Sequence, residues 1–218
     1  MPETEYSPDE IEVLDTVTAI RRRPAMYIGP VDEPNAVNTL LAEALCIALD
    51  NAATGCASEI SISFDSDGSV TVRDNGPGLS VDKTASGSTT IEILLTQLYA
   101  CRQAKKKVNE KLCGIGLVVT NILSESLVIE TVQDGWGFRQ EFAQGHATGP
   151  IERTKPTTEQ WQQITFTPDP EIFGDNRLCP VFFSNWFLGE KFDLASATVT
   201  VHAGNQSRQL HPAPQTAS

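Results

Sequence analysis

Apolar residues recur at three- and four-residue spacing between 36 and 53, where Leu40, Leu41, Ala44, Leu45, Ala48, Leu49 and Ala52 form one stripe. This periodicity predicts the strongest helix of the chain, with Asn35 as its cap. The period then changes to two. Residues 59–64 and 69–73 alternate around the turn Asp65-Ser66-Asp67-Gly68 and predict a hairpin. A second hairpin is predicted from 127–132 and 136–142, joined at Asp134-Gly135, and a further strand from 164–167, halted by Pro168 and Pro170. An earlier helix is expected from a Ser7 cap to about Ile20, followed by an extended stretch from Arg23 to Pro30. Helices are also expected at 90–101, 117–123 and 179–188, and a last strand at 197–202. Helices interleaved with antiparallel hairpins, and no internal repeat, predict one α+β domain with helices on one face of a sheet. Its bounds are placed at 1–203, with a loose polar tail at 204–218.

Composition narrows the classes. Of 218 residues, 40% are hydrophobic and 20% charged, which suits a chain with a real core rather than a disordered one. No uninterrupted apolar run has membrane-span length, and the polar, acidic start has no signal-peptide character, so a cytoplasmic protein without membrane attachment is expected. With 16 basic and 28 acidic residues the net charge is -12, so autonomous DNA binding is not expected. The runs Arg21-Arg22-Arg23 and Lys105-Lys106-Lys107 read first as solvated faces. Five scattered cysteines form no C-x-x-C pair, and three histidines in the last third form no metal or nucleophile constellation.

Three short segments carry candidate chemistry. Asp50-Asn51 closes the long helix and could hold a cation or polar ligand. Asp74-Asn75-Gly76-Pro77-Gly78 sets a carboxylate beside a loop that a ligand can approach closely. Gly114-Ile115-Gly116 stands ahead of a helix, where free amides favour a phosphate. Each alone also fits a plain turn or helix end.

Their order is more specific. A long helix ending in Asp-Asn, a hairpin, D-x-G-x-G, a loop and then G-x-G opening a helix resembles the nucleotide-binding fold of gyrase, Hsp90, histidine kinases and MutL (the GHKL or Bergerat sandwich). Ile20-Arg21-Arg22-Arg23-Pro24-Ala25-Met26-Tyr27-Ile28-Gly29, Leu112–Gly116 with Val119–Ser124, Phe138–Phe142 and Phe166–Phe173 narrow the resemblance over about 8–202. They point to the amino-terminal ATPase domain of type IIA topoisomerases of the DNA gyrase B and topoisomerase IV branch. The resemblance implies ATP and Mg2+ as ligands. It implies Asn51 as metal ligand beside Asp50, Asp74 as acceptor of the adenine amino group, and Gly76 and Gly78 as the glycines that admit the base. Gly114 and Gly116 would serve the phosphates, Arg139 would lie near the pocket, and about 81–113 would be a lid.

The departures qualify this. The family's general base stands three residues before Asp-Asn, and here that position is Ile47, which takes no proton. Losing a positioned base costs about 10²- to 10⁴-fold in rate. Glu43, a turn earlier, is the candidate stand-in, with a surface or pocket-rim carboxylate as its plainer reading. Pro77 replaces an arginine and the acid that pairs with it is also absent. Glu110 and Lys111 replace glycines, Cys113 a histidine, and Gln162 a threonine that helps bind adenine. The expectation is an ATP-binding domain without efficient hydrolysis, and without DNA cleavage or strand passage of its own. A slow ATP-hydrolysing topoisomerase component and a ligand-free interaction module are the alternatives. Another protein of the gyrase assembly is a candidate partner. Few residues precede the first helix where the family has a dimerising arm, so a monomer in isolation is expected.

Overall fold

The computed structural model describes residues 14–98, 100, 115–192 and 194–211. Nine strands form one sheet: β1 (Glu59–Phe64), β2 (Val70–Asp74), β3 (Ser124–Gln133), β4 (Trp136–Ala143), β5 (His146–Ala147), β6 (Glu152–Pro156), β7 (Gln162–Pro168), β8 (Thr198–Ala203) and β9 (Gln206–Leu210). From one edge the order is β9-β8-β1-β2-β7-β3-β4, and β5 and β6 both pair with β4 at the other edge. All pairings are antiparallel except β1 with β8, so the sheet is mixed and mostly antiparallel, as expected.

Both predicted hairpins form. The Asp134-Gly135 turn has φ of 52° and 76°, the left-handed conformation that a two-residue hairpin loop needs. The loose tail predicted from 204 does not begin there: β9 adds a strand along β8, its apolar anchor Leu210 buried opposite Val199. Strands β5 and β6 were not legible either. The residues of β6 are all exposed and show no apolar alternation.

Seven helices accompany the sheet among the described residues: α1 (Thr16–Arg22), α2 (Ala25–Ile28), α3 (Pro34–Ala53), α4 (Thr90–Thr96), α5 (Leu117–Ile122), α6 (Pro170–Phe173) and α7 (Pro180–Gly189). Asp15 caps α1 through Thr18 N, while the expected Ser7 cap lies outside the described residues. Residues 25–28 form a helical turn instead of the predicted extended stretch, because Pro24 supplies helical φ at its start and Gly29, at φ 80°, ends it. The long helix starts at Pro34 with Glu33 as N-cap, before the predicted Asn35 cap. Thirteen of the twenty residues of α3 are buried. Its membrane-like length and hydropathy therefore reflect a core helix. It packs on β2 and β7 and against α5.

The core-facing side of the sheet is built in rows. Phe64, Val70, Phe166 and Leu127 form one row, and Ile62, Val72, Ile164 and Ile129 the next. The third row is Ile60, Asp74, Gln162 and Thr131. Two apolar rows thus give way to a row with three polar residues, all buried. That change of chemistry lies at the end of the sheet nearest the carboxyl end of α3, as Asn51 touches Asp74.

Candidate functional site

Asp74 is the centre of the polar row. It is 3% exposed, and its two oxygens are held by neutral donors. Asn51 Nδ2 (2.9 Å) and the Gly76 amide (2.9 Å) donate to Oδ1, and Gln162 Nε2 (2.8 Å) donates to Oδ2. Burial pushes its pKa above the ordinary 3.8, opposed by the hydrogen bonds from Asn51, Gln162 and Gly76 and weakly by Arg73. A carboxylate buried among amides rather than beside a cation keeps acceptor capacity for a further donor.

The glycines of the loop are dictated by this cluster. A Cβ at Gly76 would stand 2.8 Å from both Asn51 Nδ2 and Asp74 Oδ1, in the middle of their hydrogen bond. A Cβ at Gly78 would come within 1.9 Å of Thr131 Oγ1 and 2.8 Å of the Val132 carbonyl. The D-x-G-x-G spacing therefore lets the loop lie flat against α3 on one side and β3 on the other. Asn51 Nδ2 also reaches the Pro77 carbonyl at 3.4 Å. With its NH₂ turned toward Asp74 and Pro77, its Oδ1 is the atom left for a hard cation. Asp50 stands beside it on α3, half-buried. No cluster of three or more His, Cys, Asp or Glu among the described residues could hold a metal.

Glu43 lies on the same helix, two turns before Asn51. It is 2% exposed rather than a surface or rim carboxylate. Its Oε1 accepts the Ile115 amide at 2.8 Å and its Oε2 the Gly116 amide at 3.0 Å. Each oxygen holds one amide ahead of α5, so the side chain anchors that loop. Gly116 is the N-cap of α5 at φ 104°, a conformation that favours glycine, with no neighbour near a would-be Cβ. Gly114, Lys105–Lys107, Glu110, Lys111 and Cys113 lie outside the described residues. Ile47, between Glu43 and Asn51, is half-buried and packs on the core.

Arg139 is not brought to Asp74. Alternation puts it one position from Phe138, which pairs with Thr131, so it faces the other side of the sheet. There it pairs with Glu141 and lies 3.9 Å from Glu130, which accepts Gln163 Nε2 at 3.2 Å. Gln163 Oε1 in turn accepts from Arg73 at 3.4 Å, and Arg73 stacks over Trp161 at 4.2 Å. A groove of about 1010 Å³ opens on this face between Glu130, Lys155, Glu159 and Trp161 and holds none of the predicted site residues.

The described part of the expected lid is also more fixed than a flap. Gln133 Oε1 accepts the Val81 amide at 2.8 Å, and a Thr89–Glu92 capping box starts α4, shorter than the predicted 90–101. Ile91 and Leu95 are fully buried, and Asn121 Nδ2 donates to the Leu95 carbonyl at 2.8 Å. Thr131 was not singled out in the sequence, although it ends the alternation Leu127, Ile129, Thr131 with a polar residue. Arg21, read as part of a solvated run, reaches inward to Asp169 Oδ2 (2.7 Å) and the Ile122 carbonyl (2.9 Å).

Comparisons with known proteins agree with this geometry. Residues 33–171 match the family described as histidine kinase-, DNA gyrase B-, and HSP90-like ATPase. The chain is 38% identical over 176 residues to the DNA topoisomerase 4 B protein of Caulobacter vibrioides, covering 78% of this chain and 25% of that protein. It is 38% identical over 181 residues to the DNA gyrase B protein of Thermus thermophilus, covering 80% and 28%. The chain thus spans about a quarter of the length of these relatives. A crystal structure of the 43K ATPase domain of Thermus thermophilus gyrase B, in complex with an aminocoumarin, superimposes with a TM-score of 0.75 at 28% identity, covering 91% of this chain and 52% of that one. The family match over more than half of the chain, the shared fold and the buried Asp74–Asn51 pair with its two enforced glycines lead to one statement of kinship: the chain belongs to the histidine kinase-, DNA gyrase B- and HSP90-like ATPase family.

Proposed function

We propose that this chain binds ATP with Mg2+ at the polar row and does not hydrolyse it efficiently. The observation that carries the reading is the Asp74 cluster: a buried carboxylate, held by neutral donors, with acceptor capacity remaining on Oδ2. In this reading Asp74 accepts the adenine amino group and Asn51 Oδ1 holds the ion, which when bound neutralises part of the triphosphate charge. Asp50 sets the polarity beside it. Gly76 and Gly78 keep the loop low enough for the base to reach Asp74, and Gly114 and Gly116 serve as the phosphate-loop glycines, with the Ile115 and Gly116 amides themselves held by Glu43. Arg139 acts only indirectly, from the opposite face of the sheet, through the Glu130–Gln163 chain.

Weak hydrolysis follows from two side chains. Ile47 has no proton acceptor at the position from which a base would activate water. Glu43 does not replace it, because each of its oxygens is committed to a backbone amide. The protein is then a nucleotide-responsive component of a larger topoisomerase-type assembly, cytoplasmic, with another gyrase protein as the candidate partner. It neither grips DNA nor cleaves it alone, and it is a monomer in isolation. Residues 81–113 cover the nucleotide as the lid, of which α4 is the part packed on the core.

Calorimetric titration with Mg2+ and a non-hydrolysable ATP analogue tests the binding. Micromolar affinity in the wild type, abolished by Asp74→Asn, is expected; no heat and no thermal shift in the wild type would sink the reading. Hydrolysis is tested by Ile47→Glu, which is expected to raise turnover by about 10²-fold or more. If the wild type shows a slow turnover that Glu43→Gln then removes, the slow-ATPase reading takes over. Light scattering that gives a stable dimer would contradict the monomer.

A further inference from the structure

Glu43 places a carboxylate in the interior of the protein, at the loop that carries the phosphate-loop glycines. It is 2% exposed and stands midway along α3. Positions 43, 47 and 51 recur every four residues, so Glu43, Ile47 and Asn51 lie in one file on that helix. At 1.5 Å of rise per residue, the backbones of Glu43 and Asn51 are about 12 Å apart. At one end of the file Asn51 meets the Asp74 cluster. At the other, Glu43 Oε1 accepts the Ile115 amide at 2.8 Å and Oε2 accepts the Gly116 amide at 3.0 Å.

The two ends differ in what they leave for a ligand. Asp74 keeps acceptor capacity on Oδ2, which Gln162 shares only in part. The amides at the Glu43 end keep nothing. A backbone N–H has a single proton to donate, and both protons go to Glu43, one to each oxygen. The two amides thus hold an oxyanion through a pair of its oxygens, which is how backbone amides also hold a phosphate. A phosphate oxygen brought to them meets donors already taken and a like charge at hydrogen-bond distance from both. In a buried place that repulsion is screened far less than in water. Either the phosphate stays off these amides, or Glu43 gives them up together with its hold on the loop. Both outcomes cancel affinity that a phosphate would otherwise gain there.

We propose that Glu43 is a specificity-determining residue: its carboxylate competes with the phosphates of the nucleotide for the Ile115 and Gly116 amides, so the pocket distinguishes weakly between an adenine ligand that carries a triphosphate and one that does not. This rests on the adenine-nucleotide reading above and deepens it, naming the ligand class as adenine compounds largely regardless of phosphate number. A Glu43 that served only as an anchor makes the opposite prediction. Removing an anchor loosens the loop and lowers affinity or leaves it unchanged, whereas removing a competitor raises it.

The test titrates the full chain and its Glu43→Gln and Glu43→Ala variants with adenosine, and with Mg2+ plus a non-hydrolysable ATP analogue. In the wild type the triphosphate is expected to bind no more than about tenfold more tightly than adenosine. Glu43→Gln removes the charge and releases one amide. It is expected to widen that gap about tenfold, the scale of one hydrogen bond to a charged group, with the affinity for adenosine unchanged. Glu43→Ala releases both amides and is expected to widen the gap further. A gap that is unchanged or narrower in the variants overturns the inference and leaves adenine binding intact. So does a wild-type gap of about a hundredfold or more, which decides alone where neither variant folds. Failure of both ligands to bind any of the three proteins overturns the inference together with the reading it rests on.

Discussion

Two buried aspartates on the core side of this protein are held in opposite ways. Asp169, 1% exposed at the start of α6, faces a guanidinium: Arg21 reaches Oδ2 at 2.7 Å and donates its other arm to the Ile122 carbonyl. Gln144 Nε2 donates to the same oxygen at 3.0 Å, and Oδ1 caps α6 through the Glu171 amide at 2.9 Å. A full opposite charge answers the carboxylate, and the cluster joins α1, α5, α6 and the turn after β4. Asp74, equally buried, has no cation on its own face of the sheet among the described residues and is held by amides alone, with acceptor capacity left on Oδ2. The first arrangement ties elements together. The second leaves a carboxylate unneutralised in a place that a polar ligand edge would complete. Burial alone does not tell a structural carboxylate from a binding one; the charge and remaining capacity of its partners do.

The contrast is broken most directly at Arg21. Arg21→Met leaves Asp169 buried without its cation and is expected to cost about 3 kcal/mol of stability, the scale for removing one partner of a buried pair, read as a lower denaturation midpoint in urea. Asp74→Asn is the counterpart. It removes a charge that burial disfavours, and Gln162 can turn its oxygen to meet the new amide. Stability is then expected to be unchanged or raised, while affinity for the ATP analogue falls at least about thirtyfold, or 2 kcal/mol. A variant that unfolded as readily as Arg21→Met would erase the distinction.

Titration sharpens it. Asp74 has a folded pKa raised above 3.8, so between that value and its folded pKa the native chain holds more of this proton than the unfolded chain does. Its contribution to stability is therefore largest at the acid end and is lost as pH rises through the folded pKa. In the proposed reading the ionised form accepts the adenine amino group, so affinity is expected to move the other way and to weaken as pH falls through the same window. Opposite slopes of melting temperature and affinity, both flattened in Asp74→Asn, are expected; parallel slopes would point to another group. The smallest effect belongs to Glu43→Gln, which keeps one acceptor for the two amides at Ile115 and Gly116. A loss of about 1 kcal/mol is expected by denaturation, with no change in residual turnover, since each carboxylate oxygen already accepts a loop amide.

Much of the fold was legible along the chain because the signals are local. The three- and four-residue stripe of α3, the alternation of β1 to β4 and the Asp134-Gly135 turn each carry their own period or turn chemistry. The spacing of Asp50-Asn51, Asp74–Gly78 and Gly116 was sufficient to single them out, since those residues recur as motifs. Segments without a local signal were not read. The exposed β6 has no apolar alternation, β9 is recruited by the open edge of β8, and residues 25–28 fold into a turn of helix in a proline-flanked stretch that reads as extended.

Identity of residues, their periods and the D-x-G-x-G spacing belong to the sequence by itself, and they already select an α+β domain of this kind. Which of those residues meet is a matter of register and packing between segments far apart in the chain. The pairing of β2 with β7 puts Gln162 beside Asp74 across 88 positions, and α3 lies over that row so that Asn51 completes it. Alternation on β4 turns Arg139 to the other face, and the approach of α3 to α5 makes Glu43 an anchor of amides 72 and 73 positions away. Such contacts are chosen by long-range strand order and by burial of the apolar rows beneath them, quantities that no single stretch of sequence contains.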